Sequence, residues 1–178
     1  MSAEELARQQ FVEHLRERNG AALRTASVLA FTLVPLFLIL DQVVMPEFFT
    51  LLLAVRTACT CYAVAIFTLS YSAFGVRYSA PLSISLLVVL GMAIVFMVQL
   101  HDIQTGSGPS HYYAGVNLVV LAGGILFRWT KVQAVVAFSV VYLTYLVPSL
   151  LMGSVSDNAL FLSNNFFLLA TFIVVTFS

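Results

Sequence analysis

Six apolar stretches follow one another along almost the whole chain, and each has about 17–23 residues, the length that crosses a bilayer as a helix. The sequence is 61% hydrophobic and 9% charged, which lies outside the range of soluble globular domains. Because unpaired backbone groups are not tolerated in lipid, we expect helices rather than strands. We therefore predict an all-α polytopic membrane protein with six transmembrane helices, near 21–40, 49–71, 81–100, 112–128, 132–152 and 160–178.

Seven of the eight Lys and Arg residues lie before or at the start of the first stretch, or on alternate connections. They are Arg8, Arg16, Arg18, Arg24, Arg77, Arg128 and Lys131. The intervening connections carry acidic residues instead, at Asp41, Glu47, Asp102 and Asp157. Since basic connections stay in the cytoplasm, we predict a multi-pass protein of the plasma (inner) membrane with both termini cytoplasmic.

The region before the first stretch has a different pattern. Residues 1–20 are predicted to form a cytoplasmic amphipathic lead-in helix, with its apolar side chains on one side. The Asn19-Gly20 pair is predicted to end this helix. Two roles remain open for it: lying on the inner membrane surface, or packing on a partner. Residues 21–178 are predicted to form the transmembrane domain.

Polar side chains inside the apolar stretches are informative, because lipid makes them costly to bury. The eighth basic residue, Arg56, lies about two turns inside the second stretch, and its guanidinium suits a carboxylate, a phosphate or another polar head. Polar residues of the fourth and sixth stretches lie at a similar depth. They predict an outward-facing polar pocket that binds a small or amphiphilic ligand, lined by Arg56, Tyr113, Asn117, Asn164 and Asn165.

Each of these residues also has a structural interpretation. Arg56 could extend its long side chain to the outer interface, or form a fixed ion pair with Asp41 or Asp157. Asp41 is also the candidate partner of Arg56 when no ligand is bound. The three asparagines could serve as hydrogen bonds between helices. Small residues in the fourth stretch predict close helix packing, at Ala114, Gly115, Ala122, Gly123 and Gly124.

The sequence offers no arrangement for catalysis. None of the stretches contains a His, a pair of carboxylates or a metal-binding motif, and no phosphate-binding loop is present. His101 and His111 flank one connection without a third ligand at suitable spacing. Cys59 and Cys61 are two residues apart on one helix and point in different directions. We therefore expect no metal, no cofactor and no enzymatic activity, and the absence of a basic tract argues against nucleic acid.

Four segments carry a resemblance: LDQVVMPEFF at 40–49, HYYAGVNLVVL at 111–121, FRW at 127–129 and LSNNFFLLAT at 162–171. They resemble the N-terminal six-helix membrane modules of the MASE kind, which precede bacterial sensor histidine kinases, diguanylate cyclases and class III adenylate cyclases. The resemblance implies a sensory or regulatory input domain. It also implies that the sixth helix leads to a cytoplasmic effector domain C-terminal to Ser178, in a full-length homodimer.

Two other classes remain as alternatives. A transporter or channel subunit would use the pocket as half of a permeation path, and it would need polar groups in the inner half of the membrane as well. A lipid-modifying membrane enzyme would hold a phosphate on Arg56 and use His101 or His111 as a base, although no nucleophile is evident.

Overall fold

The computed structural model describes residues 3–105, 113–151 and 158–177, and all regular structure in these ranges is helical. The all-α prediction is confirmed. The helices are α1 (Ala3–Leu36), α2 (Leu38–Val44), α3 (Phe49–Leu69), α4 (Ala73–Arg77), α5 (Ser79–Thr105), α6 (Tyr113–Leu126), α7 (Lys131–Leu151) and α8 (Asn158–Phe177), with a 3-10 turn at Pro46–Phe48.

Four segments of the described chain are long and apolar enough to cross a membrane. They are Glu4–Val44, which joins α1 and α2, Pro46–Leu69, Ser79–His101 and Lys131–Leu151. Two shorter apolar helices, Ala114–Leu126 and Phe161–Phe177, coincide with the fourth and sixth predicted stretches. Length and composition thus identify four helices that can cross a membrane, among the six that were predicted.

α1 continues without interruption through Asn19 and Gly20, so the prediction that these residues end a separate helix is wrong. The Asn19 side chain is held in a distant contact instead: its Nδ2 donates to the Arg128 carbonyl at 3.2 Å, and its Oδ1 accepts the Arg128 N–H at 3.0 Å. A side chain used in this way does not compete for backbone groups of its own helix. With 34 residues, α1 is about 51 Å long.

The first membrane segment is broken near its other end by Pro35. Proline lacks the N–H for the helical hydrogen bond, and its ring crowds the carbonyl one turn earlier. α1 therefore ends at Leu36 and α2 begins at Leu38, and the carbonyl of Phe37, the residue between them, accepts from the Asp41 N–H at 3.1 Å. As a result, Asp41 lies on a helix rather than in the predicted connection.

The central helix of the bundle is α5, which packs against α1, α3, α6 and α7. α8 packs against α6 and α7 on the side away from α3. A core cluster that includes Val95, Val120 and Phe138 joins α5, α6 and α7. A second cluster, including Leu23 and Ile66, joins α1 and α3. The bundle therefore has two parts that share α5.

Glycines allow α6 to approach both of its neighbours closely, as predicted. A side-chain carbon at Gly123 would overlap Leu87 of α5, and one at Gly124 would overlap Val175 of α8. A side-chain carbon at Gly115 would lie 3.3 Å from Ile94 of α5, which is a tight contact rather than an overlap. α6 is thus in close contact with α5 on one side and with the C-terminal part of α8 on the other.

The N-terminal half of α1 and the C-terminal end of α8 lie at the same end of the bundle. Asn19 of α1 is bonded to the turn at Arg128, as described above. Lys131, which begins α7, has its Nζ 5.4 Å from the centroid of the Phe177 ring near the end of α8. This end carries basic connections, and we call it the basic end.

Candidate functional site

The guanidinium of Arg56 in α3 forms a bidentate ion pair with Asp41 of α2. Nη2 donates to Oδ1 at 2.8 Å, and Nε donates to Oδ2. The Arg56 side chain is 6% exposed and that of Asp41 is 0% exposed. The pair is therefore almost completely buried. Of the two acidic partners considered from the sequence, Asp41 is the one engaged, and Asp157 lies outside the described residues.

The same guanidinium is tied to the break between α1 and α2. Its Nη1 donates to the Val34 carbonyl at 3.3 Å. A carbonyl beside a helix break lacks its helical donor, and Arg56 supplies one. Its Cζ also lies 5.6 Å from the centroid of the Phe37 ring, a cation–π contact. Arg56 thus binds α3 to residues on both sides of the break.

Burial gives this pair an energetic weight that an exposed pair does not have. Exposed ion pairs contribute about 0–1 kcal/mol. In a buried pair each ion loses its hydration energy, and only good geometry and further hydrogen bonds make up for this loss. Removing one partner of such a pair costs about 3–5 kcal/mol. The Arg56 guanidinium has both the geometry and the hydrogen bonds, since Asp41 and Val34 engage three of its five N–H groups.

A cavity of about 610 Å³ lies beside Arg56, between α1, α3, α5 and α6. Its walls are apolar except at Arg56, the one charged residue among those that line it, and Cys59 lines it one turn further along α3. The other lining residues are Ala26, Leu29, Ala30, Leu33, Val34, Phe37, Leu40, Leu86, Leu87, Leu90, Ala93, Ile94, Met97, Ala114, Gly115, Leu118, Val119, Ala122, Gly123, Leu126 and Phe127.

The mouth of the cavity lies on the side of the bundle, between α1 and α6. Lining residues of α1 are exposed there, including Leu29 at 45% and Leu33 at 40%. On the other rim, Leu118 of α6 is 54% exposed. α1 and α6 touch each other little, which leaves the gap open. In a membrane, this mouth would face the lipid chains.

The far end of the cavity, away from Arg56, lies at Phe127. Its ring stacks on the indole of Trp129, with centroids 5.1 Å apart. The Trp129 Nε1–H donates to Ser83 Oγ of α5 at 2.8 Å, which fixes the ring. Trp129 is the single tryptophan of the chain. A spectroscopic reporter is therefore built into the end of the cavity opposite Arg56.

Asn165 and Asn164 of α8 lie away from the cavity. Asn165 is buried, its Oδ1 accepts from the Tyr142 hydroxyl of α7 at 3.1 Å, and its Nδ2 donates to the Phe161 carbonyl at 2.8 Å. This is the interhelical hydrogen bond that the sequence left open as an alternative. Asn164 is half-buried and has a partner, and it does not line the cavity.

Asn117 of α6 is half-buried and is not among the residues that line the cavity. Its Oδ1 is buried and has no hydrogen-bond partner among the described residues. The side chain of Tyr113 lies outside the described part of the chain. Of the five predicted ligand residues, Arg56 is therefore the one that the structure places on the cavity wall.

Sequence reasoning missed one buried polar contact between α5 and α7. The Gln99 Nε2 of α5 donates to Ser149 Oγ of α7 at 2.9 Å, and both side chains are buried. A glutamine near the end of an apolar stretch was the available signal. The contact holds α5 to α7 on the side away from the cavity, so it supports the bundle rather than the cavity.

The chain matches no protein-family model, no curated protein and no solved structure. The site itself therefore carries the argument. It combines a charge pair, a helix break and an apolar cavity that opens sideways. Such a site can hold an apolar molecule and can offer guanidinium N–H groups to a polar atom of that molecule.

Proposed function

We propose that this chain is a membrane-embedded sensory or regulatory input domain, without enzymatic activity of its own. It has six transmembrane helices with both termini in the cytoplasm of a bacterial cell. The observation that carries the proposal is the buried Arg56–Asp41 pair, which joins α3 to a helix break on the wall of an apolar cavity. The resemblance to the six-helix modules of the MASE kind points in the same direction.

The pair and the break together provide an element with two arrangements. With the pair formed, Arg56 holds the Val34 carbonyl and Asp41, and the angle between α1 and α2 is fixed. A molecule in the cavity that packs differently against α1 in the two arrangements favours one of them. It can shift the balance only by the difference between its affinities for the two arrangements.

A route from the cavity to α8 runs through two adjacent glycines of α6. Gly123 lines the cavity, and Gly124 packs against Val175 near the C-terminal end of α8. Closely packed helices move as units rather than deforming continuously. A shift of α6 therefore displaces α8, which relays the signal to a cytoplasmic effector domain C-terminal to Ser178 in a homodimer.

The six-span topology is supported by the distribution of basic residues and by the packing of the two shorter helices. The basic end contains Arg128 and Lys131, and the positive-inside rule assigns it to the cytoplasm. Of the two shorter helices, α6 packs against α5 and α8 packs against α7. Both α5 and α7 are long enough to cross. Short apolar helices cross where the bilayer thins locally.

The test measures whether α8 responds to the pair. In the full chain with Cys59→Ala and Cys61→Ser, spin labels at Arg18→Cys and Phe177→Cys report the distance from α1 to α8 in lipid nanodiscs. Breaking the pair with Asp41→Asn should shift this distance by about 2 Å or more, the scale of helix shifts in switching proteins.

Thr57→Val is the matched control, because Thr57 is exposed next to Arg56 on α3 and its loss leaves the pair intact. An unchanged distance in Asp41→Asn would refute the input-domain proposal. Flux of small solutes through proteoliposomes would favour the transporter or channel alternative, and turnover of labelled lipid would favour the membrane enzyme.

A further inference from the structure

The cavity lining extends along several turns of its helices, and Arg56, its one charged residue, lies towards one end. On α5 its lining runs from Leu86 to Met97, which is about 16 Å, and on α6 from Ala114 to Leu126, about 18 Å. A zigzag carbon chain with bonds of about 1.5 Å advances roughly 1.3 Å per carbon. The cavity therefore matches the length of about 12–14 carbons in a single extended chain.

The volume accommodates one such chain. The cavity measures about 610 Å³, which is roughly 20 groups of the size of a water molecule in the liquid. A chain of about 12 carbons with a small head fits within this space. The alanine and glycine residues of α6 keep the wall on that side flat.

Arg56 sets what the head of the molecule must be. The guanidinium has only donors, so it binds an atom that accepts hydrogen bonds. Asp41 and Val34 engage three of the five N–H groups of Arg56. Because Arg56 also lines the cavity, the remaining N–H groups can donate to a molecule bound there. An oxygen of an alcohol, a ketone or an ester satisfies this requirement.

Charge decides between a neutral head and an anionic one. The Arg56–Asp41 pair is neutral as a unit, so a neutral head leaves the balance intact. An anionic head would instead bring a net negative charge into a buried site, next to the fully buried Asp41 carboxylate. Because an unpaired buried charge is so unfavourable, we expect an anion to bind at least about a hundredfold more weakly than a neutral analogue.

Access is from the bilayer. The exposed rim residues Leu29, Leu33 and Leu118 are apolar, and they flank the gap between α1 and α6. A molecule with a long apolar chain partitions into the membrane before it meets the protein, and a mouth between two helices at that depth admits it directly.

We infer that the cavity binds a neutral single-chain amphiphile, which enters from the bilayer between α1 and α6. An oxygen of its head accepts a hydrogen bond from Arg56 while the ion pair stays closed, and its chain runs towards Phe127. The inference rests on the proposed function and names its ligand class. It assigns to the site a molecule of about 12–14 carbons with an uncharged head.

Quenching of Trp129 tests this binding in the full chain. The protein is placed in lipid nanodiscs, because common detergents are single-chain amphiphiles and would compete. Dodecanol with bromine at the end of its tail should quench Trp129 in a saturable way, since the tail ends beside Phe127. Dodecanol with bromine next to the hydroxyl should quench little. Unlabelled dodecanol should relieve the quenching, and dodecanoate should do so at concentrations about a hundredfold higher.

Two variants on neighbouring residues of α6 separate binding from simple partition into lipid. Ala122→Phe fills the cavity and should abolish saturable quenching, whereas Leu121→Phe adds a ring on the exposed face and should preserve it. A shorter residue at the same position as the first gives the opposite change: Ala122→Gly leaves the cavity open and should keep the quenching saturable.

Each other outcome has a definite meaning. Non-saturable quenching that is equal in both phenylalanine variants overturns the site. Equal or tighter binding of dodecanoate overturns the neutral head. Saturable binding of dodecanol with no change in the distance between the labels on α1 and α8 leaves the site standing and overturns the input-domain function. A response of α8 to Asp41→Asn without any amphiphile binding overturns the site alone.

Discussion

The buried pair of Arg56 and Asp41 leads to a prediction about stability that depends on both partners. Arg56→Met removes the guanidinium that neutralises the buried Asp41 carboxylate, and Asp41→Leu removes the carboxylate that neutralises the guanidinium. Both side chains are at most 6% exposed, so solvent does not screen the loss. We expect each single variant to lower the free energy of unfolding by about 3–5 kcal/mol.

The double variant Arg56→Met, Asp41→Leu should behave differently. It replaces two costly charges by apolar groups of similar size, a change that is often neutral or stabilising in buried sites. We therefore expect a free energy of unfolding near that of the parent, and a coupling energy of at least about 3 kcal/mol between the two positions.

The assay is equilibrium unfolding in mixed micelles with increasing dodecyl sulfate, followed by far-UV circular dichroism and by Trp129 fluorescence. Thr57→Val serves as the control and should differ from the parent by less than about 0.5 kcal/mol. Single variants that cost less than about 1 kcal/mol, as exposed pairs do, would refute the reasoning. Additive effects of the two substitutions would refute it as well.

Two further predictions concern how the helices are held together. Asn19→Ala removes both hydrogen bonds to Arg128 and should cost about 1–3 kcal/mol in the same unfolding assay, whereas an effect below about 0.3 kcal/mol would contradict the contact. Gly124→Ala should cost about 1–3 kcal/mol because the new carbon overlaps the stiff side chain of Val175. Gly20→Ala is its control, since no atom lies within 4 Å of a side-chain carbon there. Equal midpoints for these two alanine variants would contradict the close packing of α6 on α8.

The closed pair also bears on how the domain would respond to its ligand. A neutral amphiphile leaves Asp41 bound, so it acts through the fit between its chain and the cavity wall rather than by pulling the charges apart. The affinity difference between the two arrangements must then come from packing against α1 and α6. The length of the chain should therefore matter more for the response than the chemistry of the head.

Much of the fold could be predicted because the signals are local. Four segments of the described chain have the length and composition of a crossing. Lipid permits only structures that satisfy their own backbone groups, so composition alone leads to helices. The close packing at Gly123 and Gly124 is also local, because a residue without a side chain permits contact with whichever helix lies beside it. Arg56 stands out for the same reason, since a charge inside an apolar stretch is expensive wherever it lies.

Other features depend on contacts between distant parts of the chain. Asn19 and Gly20 have the sequence of a helix end, yet α1 continues because Asn19 is bonded to Arg128, 109 residues away. Asn165 has the character of a pocket residue, but Tyr142 occupies its oxygen. A side chain with several potential partners takes the one that the packed helices bring within reach, and no local pattern gives that information.

The sequence by itself determined that the chain is helical, that long apolar helices dominate it and that Arg56 is the charge to explain. Only the tertiary structure decided that Asp41 is its partner, because the break after Pro35 sets the direction in which α2 carries that carboxylate. The cavity also belongs to the tertiary structure. It is the space left where α1 and α6 make little contact beside α5, and such a space depends on the positions of whole helices rather than on any one residue.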